Sequence, residues 1–176
     1  LPTNVAPVAD AGEDHTVECS GSAGTTVALD GSGSYDPDGD PLTYTWMYEG
    51  AVIAGPSTDP AASYDFGLGD HLVGLIVEDD SGASDTDEVL ITVVDTTPPE
   101  ISVTVSPEVL WPPNHKMVDV TYTVTVGDIC DDILTWELVD LVSNEPDNGD
   151  GDGDTVNDIQ DADFGTPDSQ VRLRAE

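Results

Sequence analysis

Alternation of apolar and polar residues is the dominant pattern along this chain. It recurs in short runs such as TTVALD, LTYTWMY, HLVGLIVE and VDVTYTVTV, which are separated by stretches rich in Gly, Ser, Asp and Pro. A period of two is typical of half-buried β-strands, and no stretch shows the 3.6-residue period of an amphipathic helix. The pattern therefore predicts an all-β protein.

The alternating runs define the predicted strands and their division into domains. The first strand is expected within 10–18, where Gly12 breaks a short strand before HTVE. Further strands are expected at 25–30, 42–48, 61–66, 71–78, 86–94, 100–106, 118–126 and 133–142, with a strand start in 169–176 and a loop at 50–60. A chain of 176 residues with so many short strands favours two tandem β-sandwiches over one large domain. The proline-stiffened stretch DTTPP is the predicted linker, which gives domains at 1–95 and 96–176.

The second sandwich is expected to be incomplete. An immunoglobulin-like domain needs roughly seven strands, and only about four can be found after Pro99. Either the chain is truncated there, which is the simpler reading, or a strand from a partner completes the sheet. Because the sequence does not begin with a signal peptide at Leu1, it is expected to be a mature piece of a longer protein.

The charge balance excludes several classes of partner. The formal net charge is −34, with 3 Lys and Arg residues against 37 acids. Nucleic acids and anionic membrane surfaces both require clustered basic residues, so neither is an expected partner. Disorder is also disfavoured, because 38% of the residues are hydrophobic and many fall in β-branched runs. We expect a folded acidic protein whose self-repulsion is offset by cations or salt.

The stretch GSGSYDPDGDPLTYTW carries the most informative chemistry. It joins two predicted strands and places Asp36, Asp38 and Asp40 at every second position. Carboxylates brought to one side of a turn repel each other unless a cation lies between them, and hard oxygen ligands at this spacing suit calcium. The stretch therefore indicates a metal-stabilised β-protein.

The same stretch, together with Asn4, Pro7 and Val8, LIVEDDSGASD and the closing VLITVV, closely resembles a PKD domain over residues 4–94. This family forms immunoglobulin-like sandwiches in secreted microbial enzymes and surface proteins, so the resemblance implies a secreted or cell-surface location. It also implies that Trp46, on the third strand, is a core residue and not a carbohydrate platform.

The resemblance implies a calcium site as well. In calcium-binding members the ion lies where the N-terminal segment, the turn after the second strand and the turn before the last strand converge. The matching positions are Asn4, Ser34 by its carbonyl, Asp36 and Asp79, with Asp38 and Asp80 as neighbours. The alternative is that DPDGD is only a tight turn, since Asp and Gly suit turn conformations.

The second half resembles a bacterial extracellular immunoglobulin-like repeat in its WPPNHKM stretch and in its long acidic loop at 145–168. Within this loop, the calcium-ligand positions of an EF-hand fall on Asp150, Asp152, Asp154, Val156 by its carbonyl, Asp158 and Asp161. Thr155 stands where the EF-hand turn needs glycine, and Asp161 has a shorter side chain than the usual Glu. The loop is thus either ordered by calcium or a solvated acidic segment.

The two cysteines, Cys19 and Cys130, are too far apart in sequence for a zinc motif and favour an oxidising, extracellular setting. In two sandwiches of this topology, Cys19 lies at the end of the first domain where the chain exits. Cys130 lies at the end of the second domain where the chain enters. We therefore expect a Cys19–Cys130 disulfide across the linker, with two free thiols as the alternative.

Motifs of catalysis are missing from the sequence. It has no HExxH, no GxSxG, no Walker loop and no Rossmann fingerprint, and His15, His71 and His115 fall in separate segments.

We expect a non-catalytic, calcium-stabilised spacer or adhesive module, with the other domains of its parent protein and extracellular polysaccharide or protein as partners. The alternative is an accessory substrate-binding module of a secreted hydrolase, for which the candidate aromatic residues are Tyr44, Tyr48, Tyr64 and Trp111. A third class, a donor-strand assembly unit, rests only on the missing strands.

Overall fold

The computed structural model describes residues 3–112, 114–142 and 158–175. Every regular element within these ranges is a β-strand, so the predicted all-β fold is confirmed. The chain forms two compact units, Leu1–Thr97 and Pro98–Glu176. Among the described residues, no helix is long and apolar enough to cross a membrane.

The strands are numbered in chain order. In the first unit they are β1 (His15–Glu18), β2 (Thr25–Asp30), β3 (Leu42–Tyr48), β4 (Ala51–Ser57), β5 (Ala61–Phe66), β6 (Gly69–Asp79) and β7 (Ser84–Val94). In the described part of the second unit they are β8 (Glu100–Ser106), β9 (Met117–Gly127), β10 (Ile159–Gln160) and β11 (Gln170–Arg174).

The core of the first unit lies between two sheets. The larger sheet has the order β1-β7-β6-β3-β4, and the smaller one pairs β2 with β5. Alternation along β6 turns Val73 and Leu75 inward, where they meet the buried Trp46 of β3. Phe66 of β5 joins the two sheets, since its ring packs edge-on against Tyr48 of β3 at a centroid distance of 5.4 Å. Each of these fully buried side chains contributes about 1.5–3 kcal/mol of hydrophobic stabilisation.

The N-terminal segment is bound to the side of β7 by carboxylates. Before β1 begins, the Ala9 N–H donates to Asp85 Oδ2 at 3.0 Å and the Ala11 N–H donates to Asp87 Oδ2 at 2.8 Å. β1 then continues along the same strand as a parallel partner of β7. The segment is thereby held at the edge of the large sheet, which brings the first residues of the chain to the turn between β6 and β7.

The second unit contains one described sheet, with the order β10-β11-β9-β8. Val120 of β9 and Val171 of β11 are paired in register and buried at its centre. On the β8 side, Ile101 and Val103 lie opposite Val126 and Val124 of β9, yet both β8 side chains are exposed. The apolar face of this sheet is therefore covered at its centre and open towards β8.

The predicted loop at 50–60 is wrong in part, because it contains β4. This strand pairs with β3, but its register shifts on either side of Trp46. β4 lies at the edge of its sheet, where Pro56 and Gly55 are tolerated because no further strand needs their hydrogen bonds. The two residues that predicted a loop are thus compatible with an irregular edge strand.

The strand predicted at 133–142 is also wrong. Leu134, Trp136 and Leu138 are half-buried and alternate with exposed neighbours, as in a strand. The segment joins no sheet among the described residues, however. Its backbone hydrogen bonds to another described segment are those that Leu138 makes with Gly165 and Thr166, at 2.9 and 2.8 Å. Alternation of apolar and polar residues shows that one face of the segment is covered. It does not require that a neighbouring strand be hydrogen-bonded to the segment.

The predicted disulfide is confirmed. Cys19 and Cys130 are both disulfide-bonded, and no cysteine of the chain is free. Both residues are buried.

We expect the two leucines of β6 to separate core packing from surface exposure. Leu75 is 0% exposed and Leu72 is 55% exposed on the same strand. Leu75→Ala should lower the free energy of unfolding by about 2–5 kcal/mol, because it leaves a cavity. Leu72→Ala should change it by at most about 0.5 kcal/mol. Chemical denaturation of both variants tests this, and similar losses for the two would contradict the assigned core.

Candidate metal site

Three segments of the first unit converge at one end of the sandwich. The Asn4 side-chain amide donates to Asp79 Oδ2 at 2.8 Å, across 75 positions of sequence. The adjacent Val5 N–H donates to Asp38 Oδ2 at 2.8 Å. The N-terminal segment therefore binds both the turn between β2 and β3 and the turn between β6 and β7, as the resemblance predicts.

The turn between β2 and β3 is folded around Asp36. Its Oδ1 accepts hydrogen bonds from the N–H groups of Asp38 at 2.7 Å and Asp40 at 3.2 Å. Gly39 has a φ of 84°, a left-handed conformation that favours glycine. The turn brings one carboxylate oxygen from each of Asp36, Asp38 and Asp40 within 4.8 Å of the others.

Asp36 Oδ2 is the unusual atom of this turn. It is buried and has no hydrogen-bond partner among the described residues, although the other oxygen of the same carboxylate accepts two bonds. A buried polar atom without a partner is costly, more so when it belongs to a charged group. Asp36 therefore directs an unsatisfied oxygen into a cluster of acids.

Asp79 supports the cluster from the turn between β6 and β7. It is 5% exposed, and its Oδ1 accepts the N–H groups of Ser81 at 2.8 Å and Ala83 at 2.9 Å. The Asn4 side chain, followed by these backbone N–H groups, lowers the pKa of Asp79 below its ordinary value of 3.8. Asp79 is therefore a fixed carboxylate anion.

Asp40 has the opposite behaviour. Burial, and then the negative charges of Asp80, Asp36, Asp38 and Asp79, raise its pKa above 3.8. The first unit contains no Lys or Arg, since the fixed cations of the chain are Lys116, Arg172 and Arg174. The first unit therefore has no lysine or arginine of its own to relieve the repulsion within the cluster.

Ser34 is buried beside this cluster, but its hydroxyl is occupied. Ser34 Oγ accepts the Asp10 N–H at 3.0 Å and donates to the Asp10 carbonyl at 3.3 Å. This leaves the Ser34 carbonyl, the atom predicted from the resemblance, as the group it can offer to an ion. Asp40 was absent from the predicted ligands of this site, although its spacing from Asp36 and Asp38 was the available signal.

The second predicted calcium loop is described only at its end. Asp150, Asp152, Asp154 and Val156 lie outside the described residues. Asp158 Oδ1 is 3.0 Å from Arg174 Nε, and Asp161 Oδ2 is 3.9 Å from Arg172 Nη1. These two members of the predicted ligand set thus contact arginines of β11.

Several solved structures resemble part of this chain. The PKD1 domain of Vibrio anguillarum Epp is 29% identical, with coverage of 52% of this chain and 100% of that one and a TM-score of 0.39. A nucleoside hydrolase-related hypothetical protein from Saccharophagus degradans, associated with carbohydrate metabolism, is 25% identical with a TM-score of 0.40, and the match spans 52% of this chain and 26% of that protein. A structure of carbohydrate-binding modules from the β-sandwich superfamily is 23% identical over 70% of this chain and 58% of that one, with a TM-score of 0.43.

No curated protein matches the sequence significantly. A family model does, and it is described as the PKD domain; the match spans residues 4–93, just over half of the chain. It covers the N-terminal segment and both turns of the metal site, and it confirms the resemblance seen in the sequence. PKD domains are typically extracellular modules and generally non-catalytic. This chain belongs to the PKD domain family.

Proposed function

We propose that this chain is a non-catalytic, calcium-stabilised spacer or adhesive module of a larger secreted or cell-surface protein. The observation that carries the proposal is the buried, unpartnered Asp36 Oδ2 within the acidic cluster. A cation would supply the missing partner for this atom and would neutralise the charges that raise the pKa of Asp40.

The donor set suits calcium. The convergent cluster offers carboxylates from Asp36, Asp38 and Asp40. Asp79, the amide oxygen of Asn4 and the carbonyl of Ser34 are the further donors of the predicted set, and all of these are hard oxygen ligands. Calcium accepts such irregular sets of oxygen atoms, whereas magnesium demands near-ideal octahedral geometry and usually keeps several waters. An ion held there would tie the N-terminal segment to two turns, and so stiffen the end at which the chain enters the sandwich.

A structural role for His71 also supports a non-catalytic module. Its Nδ1 is 2.7 Å from the Tyr48 hydroxyl, its Nε2 is 2.8 Å from the Gly67 carbonyl, and its ring packs against Phe66. Both ring nitrogens are thus used within the aromatic cluster that joins the two sheets. The disulfide supports an oxidising, extracellular location.

Exposure of Trp111 favours a second candidate, an accessory module that binds polysaccharide or protein fibre. Trp111 is 79% exposed, whereas Tyr44 is buried and Tyr48 is hydrogen-bonded within the first unit. Tyr64 is 36% exposed, so it is the exposed one of the three candidate tyrosines. These three tyrosines of the first unit therefore do not form the row of exposed aromatic side chains that a flat polysaccharide surface would require.

Calcium should raise the thermal stability of the first unit. After complete chelation, added calcium should increase Tm more than magnesium does, and at ten times its dissociation constant one ion contributes about 1.4 kcal/mol. Asp36→Asn, which keeps the shape of the side chain, should remove most of this increase. Glu88→Gln, an exposed change on β7, is the matched control. A wild-type Tm that is the same with and without calcium would contradict the proposal.

The acidic loop at 150–161 stays a separate prediction. If it binds a second ion, calorimetric titration should count one calcium ion fewer in Asp152→Ala than in the wild type. An unchanged count in this variant would mean that the loop is only a solvated acidic segment.

The raised pKa of Asp40 predicts an unusual pH dependence without calcium. Its stabilising contribution is complete below the ordinary pKa of 3.8 and is lost as the pH rises through its higher folded-state pKa. Asp40→Asn should therefore raise the calcium-free Tm at pH 7, and reduce its calcium-induced increase. Thermal melts of the wild type and the variant between pH 3.8 and pH 7 test the direction of this change in Tm. A lower calcium-free Tm in the variant at pH 7 would contradict the prediction.

Asp79 should act in the opposite direction. Because its pKa is lowered, its contribution is present above 3.8 and is lost as the pH falls through the lower folded-state value. Asp79→Asn should thus lower the calcium-free Tm at pH 7, whereas Asp40→Asn, in the turn between β2 and β3, should raise it. Thermal melts of the two variants check this contrast.

Binding assays on insoluble ligands separate the two candidate functions. The spacer proposal predicts no retention of the protein on chitin, cellulose or collagen. Retention that disappears in Trp111→Ala, but persists in Val52→Ala on the exposed face of β4, would favour the accessory binding module instead.

A further inference from the structure

An open cleft of about 380 Å³ lies in the second unit, between β9 and the segment that follows it. Its apolar lining residues are Val124 and Val126 of β9 and Leu134 and Trp136 of the following segment. Its volume falls within the range of ligand-binding pockets. The cleft thus combines aliphatic side chains with one aromatic ring.

The apolar surface continues from the cleft to the edge of the sheet. Val103 and Ile101 of β8 lie opposite Val124 and Val126 in register, and they are 55% and 62% exposed. β8 is an edge strand with no proline and a single acid, Glu100 at its first residue. In a protein with 37 acids, this strip is locally poor in charge and free to accept apolar side chains.

Acidic residues form the rim of the same cleft. Asp128, Asp131 and Asp132 belong to its lining, and Asp131 and Asp132 are exposed. The turn that carries them is fixed, because Asp128 Oδ1 accepts the N–H groups of Cys130 at 2.8 Å and Asp131 at 3.2 Å. The rim therefore presents carboxylate side chains on a turn whose backbone conformation is fixed by hydrogen bonds.

The exposed carboxylates of Asp131 and Asp132 do not converge with other acids as those of the proposed calcium site do. Among the described residues, Asp131 and Asp132 belong to no group of acidic, histidine or cysteine side chains whose ligand atoms lie within 4.8 Å of one another. A compact divalent ion needs such convergence, whereas a planar guanidinium spreads its charge over several donors. The geometry of the rim favours an organic cation.

The ring of Trp136 suits the same ligand. It packs against Tyr122 on β9 at a centroid distance of 6.4 Å and an interplanar angle of 63°, which limits its rotation. A tryptophan ring attracts cations over its face, and arginine does this best among side chains. The aliphatic part of an arginine side chain can meanwhile lie along apolar surface.

We propose that this cleft binds an arginine side chain presented by an extended segment of a basic protein partner. The aliphatic stem lies on Val124 and Val126, the guanidinium lies between the Trp136 ring and the carboxylates of Asp131 and Asp132, and apolar neighbours of the arginine contact the exposed face of β8. This site is separate from the proposed calcium site and does not depend on it.

The charges of the chain argue against a second copy as the partner. Arg172 is paired with Asp119 at 3.2 Å and Arg174 with Asp158 at 3.0 Å. The remaining fixed cation is Lys116, against a net charge of −34 per chain. Two copies would therefore repel each other, whereas a basic partner would be attracted.

Titration of the ¹⁵N-labelled full chain, followed by NMR, tests the proposal. The probe is the peptide acetyl-Gly-Val-Arg-Val-Gly-amide at about 0.15 M salt, and its control has citrulline, a neutral isostere, in place of arginine. We expect saturable shifts at Val124, Val126 and the Trp136 indole, with roughly tenfold weaker binding of the citrulline peptide. Equal binding of both peptides would overturn the proposal. Arginine amide alone should bind more weakly, and equal affinity would overturn the assignment to a protein segment.

Variants of the rim give a second, independent readout. The double variant Asp131→Asn/Asp132→Asn should weaken arginine-peptide binding about tenfold. Glu137→Gln/Asp140→Asn removes two exposed acids from the same segment and should leave binding unchanged. A similar loss in both double variants would show that only net charge matters and would overturn the specific site. Dispersed amide spectra confirm that each variant is folded.

Discussion

Carboxylates that accept hydrogen bonds from backbone N–H groups hold the first unit together. Since this unit has no Lys or Arg, its acids cannot be paired with basic side chains of their own unit. Asp85 and Asp87 instead bind the N-terminal segment to β7, and Asp79 closes the turn between β6 and β7. Charge-assisted bonds of this kind are stronger than bonds between neutral groups, so they offset part of the cost of burying the acids. The placement of the N-terminal segment, and with it Asn4, depends on this network.

The proposed metal site lies where backbone N–H donors no longer satisfy every carboxylate oxygen. Asp36 uses one oxygen for two backbone N–H groups and is left with a buried second oxygen. The charged form of Asp40 is disfavoured by burial and then by four neighbouring acids, which raise its pKa. The same turn that satisfies some carboxylates therefore concentrates others. Binding of a cation there would complete the network, which makes ion binding an extension of the folding interactions.

Periodicity predicted the strands whose burial is regular and failed where burial and pairing differ. β2, β3 and β6 alternate because each has one face against the core. β4 was missed because Gly55 and Pro56 resemble a loop, although an edge strand tolerates both. The run at 133–142 alternates without joining a sheet in the described part of the chain. Within the site, spacing indicated Asp36 and Asp38, but the unpartnered oxygen of Asp36 and the contact of Asn4 with Asp79 depend on atomic positions that spacing alone does not define.

The two acidic surfaces show why composition alone cannot assign a ligand. At the turn between β2 and β3, backbone bonds fold three aspartates around a common point, which favours a small, hard cation. In the cleft beside β9, Asp131 and Asp132 belong to no such convergent group and share the lining with valines and a tryptophan, which favours a cation with an apolar stem. Both surfaces are built from the same residue type in the same acidic chain. The chemistry of each is set by whether the backbone makes the carboxylates converge, and by what lies between them.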